Sequence, residues 1–238
     1  LFLAALTEVT GDFVEAVRLS SEVLASKGRI YPATLNDVRL VAELEDGREV
    51  RGESRITAAK SQIRRLHLEP EQCLPLPEAL AAIRSADIIT VGPGSLYTSI
   101  LPNLLVARVA ECIGSSRAVK VFICNLMTQP GETDGYTARR HMEVVKAYAP
   151  EIRFDCVVVN DRAVSPGQAA AYAAEGARQI GLTDHLFEEE FGDEAEVVRA
   201  DLLDEGEKVR HSPQKLARVI LACYEQACAR PVPASAAR

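Results

Sequence analysis

DIITVGPGSLYTSILPNLL, running from Asp87 to Leu105, is the stretch on which the reading of this chain turns. Ile88, Ile89 and Val91 make a short, apolar, β-branched run, the pattern of a strand covered on both faces. The run opens directly into Gly92-Pro93-Gly94 and then into a segment carrying Ser95, Tyr97, Thr98, Ser99 and Asn103. Strand, glycine turn and helix start in that order form one βα corner of an α/β fold. Gly92 and Gly94 allow main chain to approach a ligand where a Cβ would collide, and Ser95 stands where it can cap the helix. Unpaired N–H groups at such a start, reinforced by the helix dipole, favour a phosphate or a carboxylate. A tight connection between strand and helix would read the same way. The turn is not the GxGxxG fingerprint, because position 97 is Tyr, and no GK[ST] follows to make a Walker A loop.

A second corner lies downstream. The apolar run Val119 to Cys124 opens into NLMTQPGETDGYTARRH, Asn125 to His141. This loop carries Asn125, Thr128, Gln129, Glu132, Thr133 and Asp134 around a Pro130-Gly131 turn. A helix is predicted from about Asp134, with Ala138, Met142 and Val145 on one face. Loops that follow neighbouring parallel strands gather at the carboxyl ends of those strands, where open α/β folds bind ligands. Both corners are therefore expected to face one cleft.

The rest of the chain alternates between helix and strand. Asp12 is predicted to cap a helix bearing Phe13, Val17 and Leu24 that ends at Gly28. Val38 to Ile56 reads as two extended runs around Asp46-Gly47, a tight hairpin. Ile63 to Leu68 reads as a further strand, Pro77 opens a short helix, and Cys156 to Asn160 is a third buried strand followed by helical pattern. Ser212-Pro213 caps a last helix with Leu216, Val219, Ile220, Cys223 and Ala227 on one face. The acidic run Glu188, Glu189, Glu190 and Asp193 reads as a solvated loop. Three strand–helix alternations imply right-handed parallel crossovers. The expected fold is α/β: a Rossmann-like, doubly wound, mostly parallel sheet with helices on both faces and a β-hairpin insertion.

Together, GPGSLYTSILPNLL and CNLMTQPGETDGYT resemble the YvcK family of gluconeogenesis factors, which is related to the CofD 2-phospho-L-lactate transferases. The resemblance extends through LFLAALTEVTGDF (Leu1–Phe13), RGESRI (Arg51–Ile56), LEP (Leu68–Pro70) and ADLLDEGEKVRHSP (Ala200–Pro213), and so covers nearly the whole chain. Family members begin with a strand, a GGGTG turn and a DDGGSSG segment, none of which occurs here. The resemblance thus implies a single CofD-like domain over residues 1–228 that lacks its N-terminal βα unit, with a tail over 229–238. It also differs at Ala107-Arg108, where the family usually has Pro-Gly.

Composition sets outer limits. With 238 residues, 47% hydrophobic and 26% charged, the chain has the make-up of a globular domain. A net charge of −7 does not support a basic face for nucleic acid or acidic lipid. No apolar run has the length of a membrane span and no signal peptide is visible. The six cysteines, at 73, 112, 124, 156, 223 and 228, lack CxxC spacing and read as buried reduced thiols, which points to the cytoplasm. His67, His141, His185 and His211 lack zinc-site spacing.

Two function classes stay open. In the first, suggested by the motif wording, the protein is a regulator that binds a nucleotide sugar of the UDP-N-acetylglucosamine type and links carbon metabolism to cell-wall synthesis and cell shape. In the second it is a CofD-type transferase moving a phospho-lactyl group from a nucleotide diphosphate donor to a deazaflavin acceptor, with magnesium. No catalytic residue is assigned, and homo-oligomerisation is left open. The expected ligand contacts are Gly92, Pro93, Gly94, Ser95, Tyr97, Thr98, Ser99, Asn103, Asn125, Thr128, Gln129, Glu132, Thr133, Asp134 and Arg210. Glu132 and Asp134 suit a metal or hydroxyl groups, although Asp134 equally suits a helix cap. Arg210 suits a diphosphate, its alternative being an ion pair with Asp204 or Glu207. Asn160 reads as a turn residue before it reads as a ligand contact.

Overall fold

The computed structural model describes residues 2–23, 27–181 and 195–229. Leu24, His185, the acidic run and the tail beyond residue 229 lie outside the described residues. The chain starts with α1 (Phe2–Thr10) and α2 (Phe13–Val23), joined at Gly11. The Asp12 carboxylate accepts from the Glu15 N–H at 2.8 Å, the expected cap of α2.

Four strands make the sheet that carries the site. They are β4 (Ile88–Val91), β5 (Val119–Ile123), β6 (Cys156–Asn160) and β7 (Glu196–Ala200). Their order is β4-β5-β6-β7 and every pairing is parallel, with Ile88 opposite Val119 and Val121 opposite Cys156. The short EVVRA run of β7 was not among the strands expected from the sequence, since one basic and one acidic residue mask its period.

Side chains alternate across this sheet, as a pleated strand requires. Phe122, Val157 and Val159 point to one face, where α5 (Leu101–Leu105), α6 (Val109–Ser115) and α7 (Ala138–Tyr148) cover them. Val121, Ile123 and Val158 point to the other face, which takes Leu216 and Cys223 of α9 (Pro213–Ala229). Helices therefore lie on both faces, and the α/β, Rossmann-like class expected from the alternation is present. The face of α9 predicted from Leu216, Val219, Ile220 and Cys223 is the one that packs.

The insertion is larger than a hairpin. β1 (Arg39–Leu44) and β2 (Glu49–Arg51) pair around Asp46-Gly47, and β3 (Ile63–Glu69) pairs antiparallel with the other edge of β1. The result is a separate three-stranded sheet in the order β2-β1-β3. The second extended run, expected to reach Ile56, stops at Arg51. Gly52 turns the chain at φ 93° and Glu53–Ala59 forms α3, which buries Ile56 against the sheet. Leu40, Ala42, Leu66 and Leu68 of this sheet join the same core as α5 and α7. The Tyr148 hydroxyl at the end of α7 also accepts the Leu66 N–H at 2.7 Å. α4 (Pro77–Ser85) leads from this sheet to β4 and packs on α6.

Of the six cysteines, five are buried and all are free. Cys228 is exposed, so the buried-thiol expectation is corrected there: it lies on the outer side of α9 near its end. No single described helix is long and apolar enough to cross a membrane.

Candidate functional site

At the carboxyl ends of β4 and β5 both loops border one cleft of about 550 Å³. Pro93, Gly94 and Ser95 form one wall, Asn125, Thr128 and Gln129 a second, and Arg210 with His211 a third. The volume falls in the range of small-molecule sites.

The first wall is built by sterics. Gly92 has φ 93°, and a Cβ there would stand 2.8 Å from the Ile123 carbonyl oxygen, so glycine is required for β4 to turn beside β5. A Cβ on Gly94 would instead meet the Ser99 side chain at 3.2 Å and Ile100 at 3.6 Å. Its crowding is with the helix that follows, not with the cleft. That helix opens as a π-turn, Leu96–Ile100, continuous with α5. Its first bonds run from the Ser99 and Ile100 N–H groups to the Ser95 carbonyl, so the N–H groups of Leu96, Tyr97 and Thr98 precede them.

Ser95 does not cap this helix. Its hydroxyl donates to Glu132 at 2.8 Å and accepts from the Thr98 hydroxyl at 2.7 Å. Glu132 also accepts from the Thr57 hydroxyl of α3 at 2.9 Å and is 1% exposed. One carboxylate thereby ties the first loop, the second loop and the antiparallel sheet's helix together from behind the cleft.

The second wall is held by main-chain pairing. Thr128 donates its N–H to the Arg178 carbonyl at 2.8 Å, and its hydroxyl accepts the Arg178 N–H at 2.9 Å. Within the loop, the Thr133 hydroxyl accepts the Gln129 N–H and the Asp134 carboxylate accepts the Gly131 N–H at 2.6 Å. Asp134 therefore closes its own turn, and α7 starts four residues later than expected. Its cap is Thr137, whose hydroxyl accepts the Arg140 N–H at 3.1 Å.

The third wall follows β7. Residues 202–204 and 210–212 form a short antiparallel ladder, with Asp204 N–H on the Arg210 carbonyl and Ser212 N–H on the Leu202 carbonyl. This lifts Arg210 and His211 over the strand ends. Arg210 is exposed and makes no ion pair with Asp204 or Glu207 among the described residues. Burial pushes the pKa of the His211 ring below the ordinary imidazole value, against a smaller opposing effect of the Cys124 carbonyl.

α8 (Pro166–Ala174) supplies the part of the rim that sequence reasoning missed. Ser165 caps it, accepting from the Gln168 N–H while the Gln168 side chain returns to the Ser165 N–H. Tyr172 and Glu175 then face the cleft, and the Tyr172 hydroxyl accepts the Val209 N–H at 3.2 Å. A lone tyrosine in the alanine-rich run QAAAYAAEG was the available signal.

Seven of the fifteen expected contacts line this cleft: Pro93, Gly94, Ser95, Asn125, Thr128, Gln129 and Arg210. The other eight do not. Tyr97 is buried with its hydroxyl 2.9 Å from that of Tyr136, and burial raises its pKa further above the ordinary phenol value. Ser99 and Asn103 face a separate apolar hollow beside β4, together with Gly92. Thr98, Glu132, Thr133 and Asp134 are internal braces of the two loops. Asn160 is structural, donating to the Arg162 carbonyl and accepting the Leu202 N–H. Among the described residues no group of three or more His, Cys, Asp or Glu side chains could hold a metal ion, so these side chains do not by themselves make up a magnesium site.

Comparison with known proteins follows the same outline. A family model described as 2-phospho-L-lactate transferase CofD matches residues 1–203. The gluconeogenesis factor of Bacillus subtilis is 43% identical over 222 residues, covering 93% of this chain and 69% of that protein. A gluconeogenesis-factor relative from Nostoc sp. is 44% identical over 227 residues, covering 94% of this chain. The chain spans about half of the Nostoc relative's length, 49%. The crystal structure of a UPF0052-family protein from Bacillus halodurans has a TM-score of 0.85 at 40% identity, covering 92% of this chain and 70% of that one.

Proposed function

The chain belongs to the CofD family, and from that premise we propose that its cleft binds a nucleotide-diphosphate ligand, in particular a nucleotide sugar of the UDP-N-acetylglucosamine type, as a regulatory rather than a catalytic event. One observation carries the reading: two strand-end loops and the exposed Arg210, which makes no ion pair among the described residues, converge on a single cleft. In this assignment the Gly94-Ser95 main chain and Arg210 take the diphosphate, and Asn125 and Gln129 take the polar groups of the attached sugar or base. The four relevant side chains or backbone groups come from three different segments, so ligand binding would tie those segments together. Binding of this kind would let a cytoplasmic protein report on carbon supply to cell-wall synthesis and cell shape.

The match to the transferase model supports a second reading, in which the same cleft holds the nucleotide diphosphate donor of a phospho-lactyl transfer. The cleft hydroxyl of Ser95 does contact a carboxylate, but that carboxylate, Glu132, is buried and shared with Thr57 as a brace, which favours binding over transfer. Calorimetry with UDP-N-acetylglucosamine tests the first reading: Arg210→Ala is expected to weaken affinity about tenfold or more through loss of a charge-assisted pair. Unchanged affinity would place the ligand elsewhere. Product formed from a phospho-lactyl nucleotide donor and a deazaflavin acceptor would favour the transferase.

A further inference from the structure

The turn that leads into Arg210 is held by one face of α8. Gln168 and Tyr172 lie four residues apart in that helix and so share a face. The Tyr172 hydroxyl accepts the Val209 N–H at 3.2 Å, and the Gln168 Nε2 donates to the Gly206 carbonyl at 3.0 Å and to the Glu207 carbonyl at 3.2 Å. A hollow of about 370 Å³, bordered by Ser165, Gln168 and residues 203–207, separates the start of α8 from this turn, and the Gln168 side chain reaches across it. Residues 204–208 are exposed. Glu205 also pairs with Arg162 at 3.0 Å, but its side chain is 77% exposed and the pair is worth little.

The orientation of the Gln168 amide follows from its partners. Both carbonyls only accept, and the Ser165 N–H that meets Oε1 at 3.1 Å only donates, so the amide nitrogen faces the turn and the oxygen faces the cap. One side chain therefore completes the capping box of α8 with its oxygen and holds the approach to Arg210 with its nitrogen. Arg210 closes the turn, its carbonyl accepting the Asp204 N–H at 2.9 Å.

We propose that Gln168 is a positioning residue of the ligand site: through the Gly206 and Glu207 carbonyls it fixes the turn that sets Arg210 at the border of the cleft. This rests on the ligand reading above, in which Arg210 takes the diphosphate, and adds a residue that reading does not use. Gln168 does not itself border the cleft, so its effect runs through Arg210. Holding the turn in place matters because a charge-assisted bond to a phosphate depends on geometry, and an arginine on a loose turn gives up more freedom when it binds.

Gln168→Glu separates the two roles. Glutamate keeps an oxygen for the Ser165 N–H, and S-x-x-E is itself a capping box, but it offers no N–H to the two carbonyls. A carboxylate in the first turn of α8 also suits the helix dipole, so the melting temperature is expected to change little. Calorimetry with UDP-N-acetylglucosamine as probe is expected to show about fivefold weaker binding, and hydrogen exchange a faster Val209 N–H. In an Arg210→Ala background the same substitution is expected to cost nothing further. Gln168→Met, which drops cap and tie together without adding charge, should match Gln168→Glu in affinity and melt lower. A full fivefold loss persisting in the Arg210→Ala background would show that Gln168 does not act through Arg210 and would overturn this inference alone. Wild-type affinity in both Gln168 variants, beside weakened binding in Arg210→Ala, would do the same. No binding of the probe by the wild-type chain, or wild-type affinity in Arg210→Ala, would overturn the ligand reading together with it.

Discussion

At Gly131 the second loop passes so close to the end of α3 that a Cβ would lie 2.4 Å from the Lys60 Cα, and the residue sits at φ 89°. Gly135, four residues on, has φ 71° with nothing within 4 Å. Both glycines look alike in GETDG, yet the structure separates a backbone contact from simple left-handed geometry. Gly131→Ala should therefore lower stability by more than about 3 kcal/mol, and Gly135→Ala by about 1–2 kcal/mol. Urea unfolding of the two variants checks the order, and equal losses would show that the Lys60 contact gives way freely. Arg108 makes the converse case. It occupies a left-handed conformation, φ 65°, at the start of α6, in the Ala107-Arg108 pair where the resembled family usually has Pro-Gly. Arg108→Gly relieves that strain at some entropic cost in the unfolded chain, and is expected to stabilise by roughly 0.5–1 kcal/mol. A lower melting temperature in that variant would show that the Arg108 side chain contributes more than its backbone costs.

Among the elements, Glu132 holds the arrangement that brings the two loops to one cleft. It is buried and accepts from Ser95 in the first loop and from Thr57 in α3. Glu132→Ala leaves two hydroxyls without that acceptor and opens a cavity, for an expected loss of about 2–4 kcal/mol. Glu132→Gln keeps one carbonyl oxygen and should lose less than half of that. Thermal melts of the two variants, with ligand affinity measured alongside, test whether the brace acts on stability, on the cleft, or on both. Helix ends show where local reading succeeds. Asp12 and Ser212 cap the helices they were expected to cap, each standing directly before an apolar-periodic run and accepting from an N–H three residues on, at 2.8 Å and 3.5 Å. Ser95 and Asp134 have the same residue chemistry but spend it on Glu132 and Gly131. A capping residue is chosen by which acceptor or donor tertiary packing brings within reach, and that is not a local property.

For the molecule as a whole, one buried imidazole, His141, and one half-buried one, His211, make stability depend on mild acid. Burial lowers the pKa of His141 and of His211 below the ordinary value of about 6.5, against the opposing carbonyl contacts of Thr137 and Cys124. In the unfolded chain both rings bind protons at higher pH than in the folded one. Their stabilising contribution is therefore complete above about pH 6.5 and is lost as pH falls through the lowered folded values. Unfolding free energy should decline between pH 7.5 and 5.5, and His141→Gln should flatten part of that slope. A flat profile in the wild-type protein would mean that neither ring is held neutral.

Residue order alone determined the strand–turn–helix corners, because a short β-branched run followed by glycine and a 3.6-residue apolar period has few other solutions. It likewise determined the face of α9 and the Asp46-Gly47 hairpin, both of which depend on spacing within one element. Only the tertiary structure decided that β3 joins that hairpin in a second sheet, and that β7 completes the first one, since strand partnership is a long-range choice. It also decided which hydroxyls and carboxylates face the cleft. Thr98, Glu132, Thr133 and Asp134 turn inward as braces, while Tyr172, Glu175 and His211, distant in sequence, are carried to the rim by α8 and by the ladder after β7. The physical reason is that a polar side chain follows the nearest buried partner, and the identity of that partner is set by the packing of elements far apart in the chain.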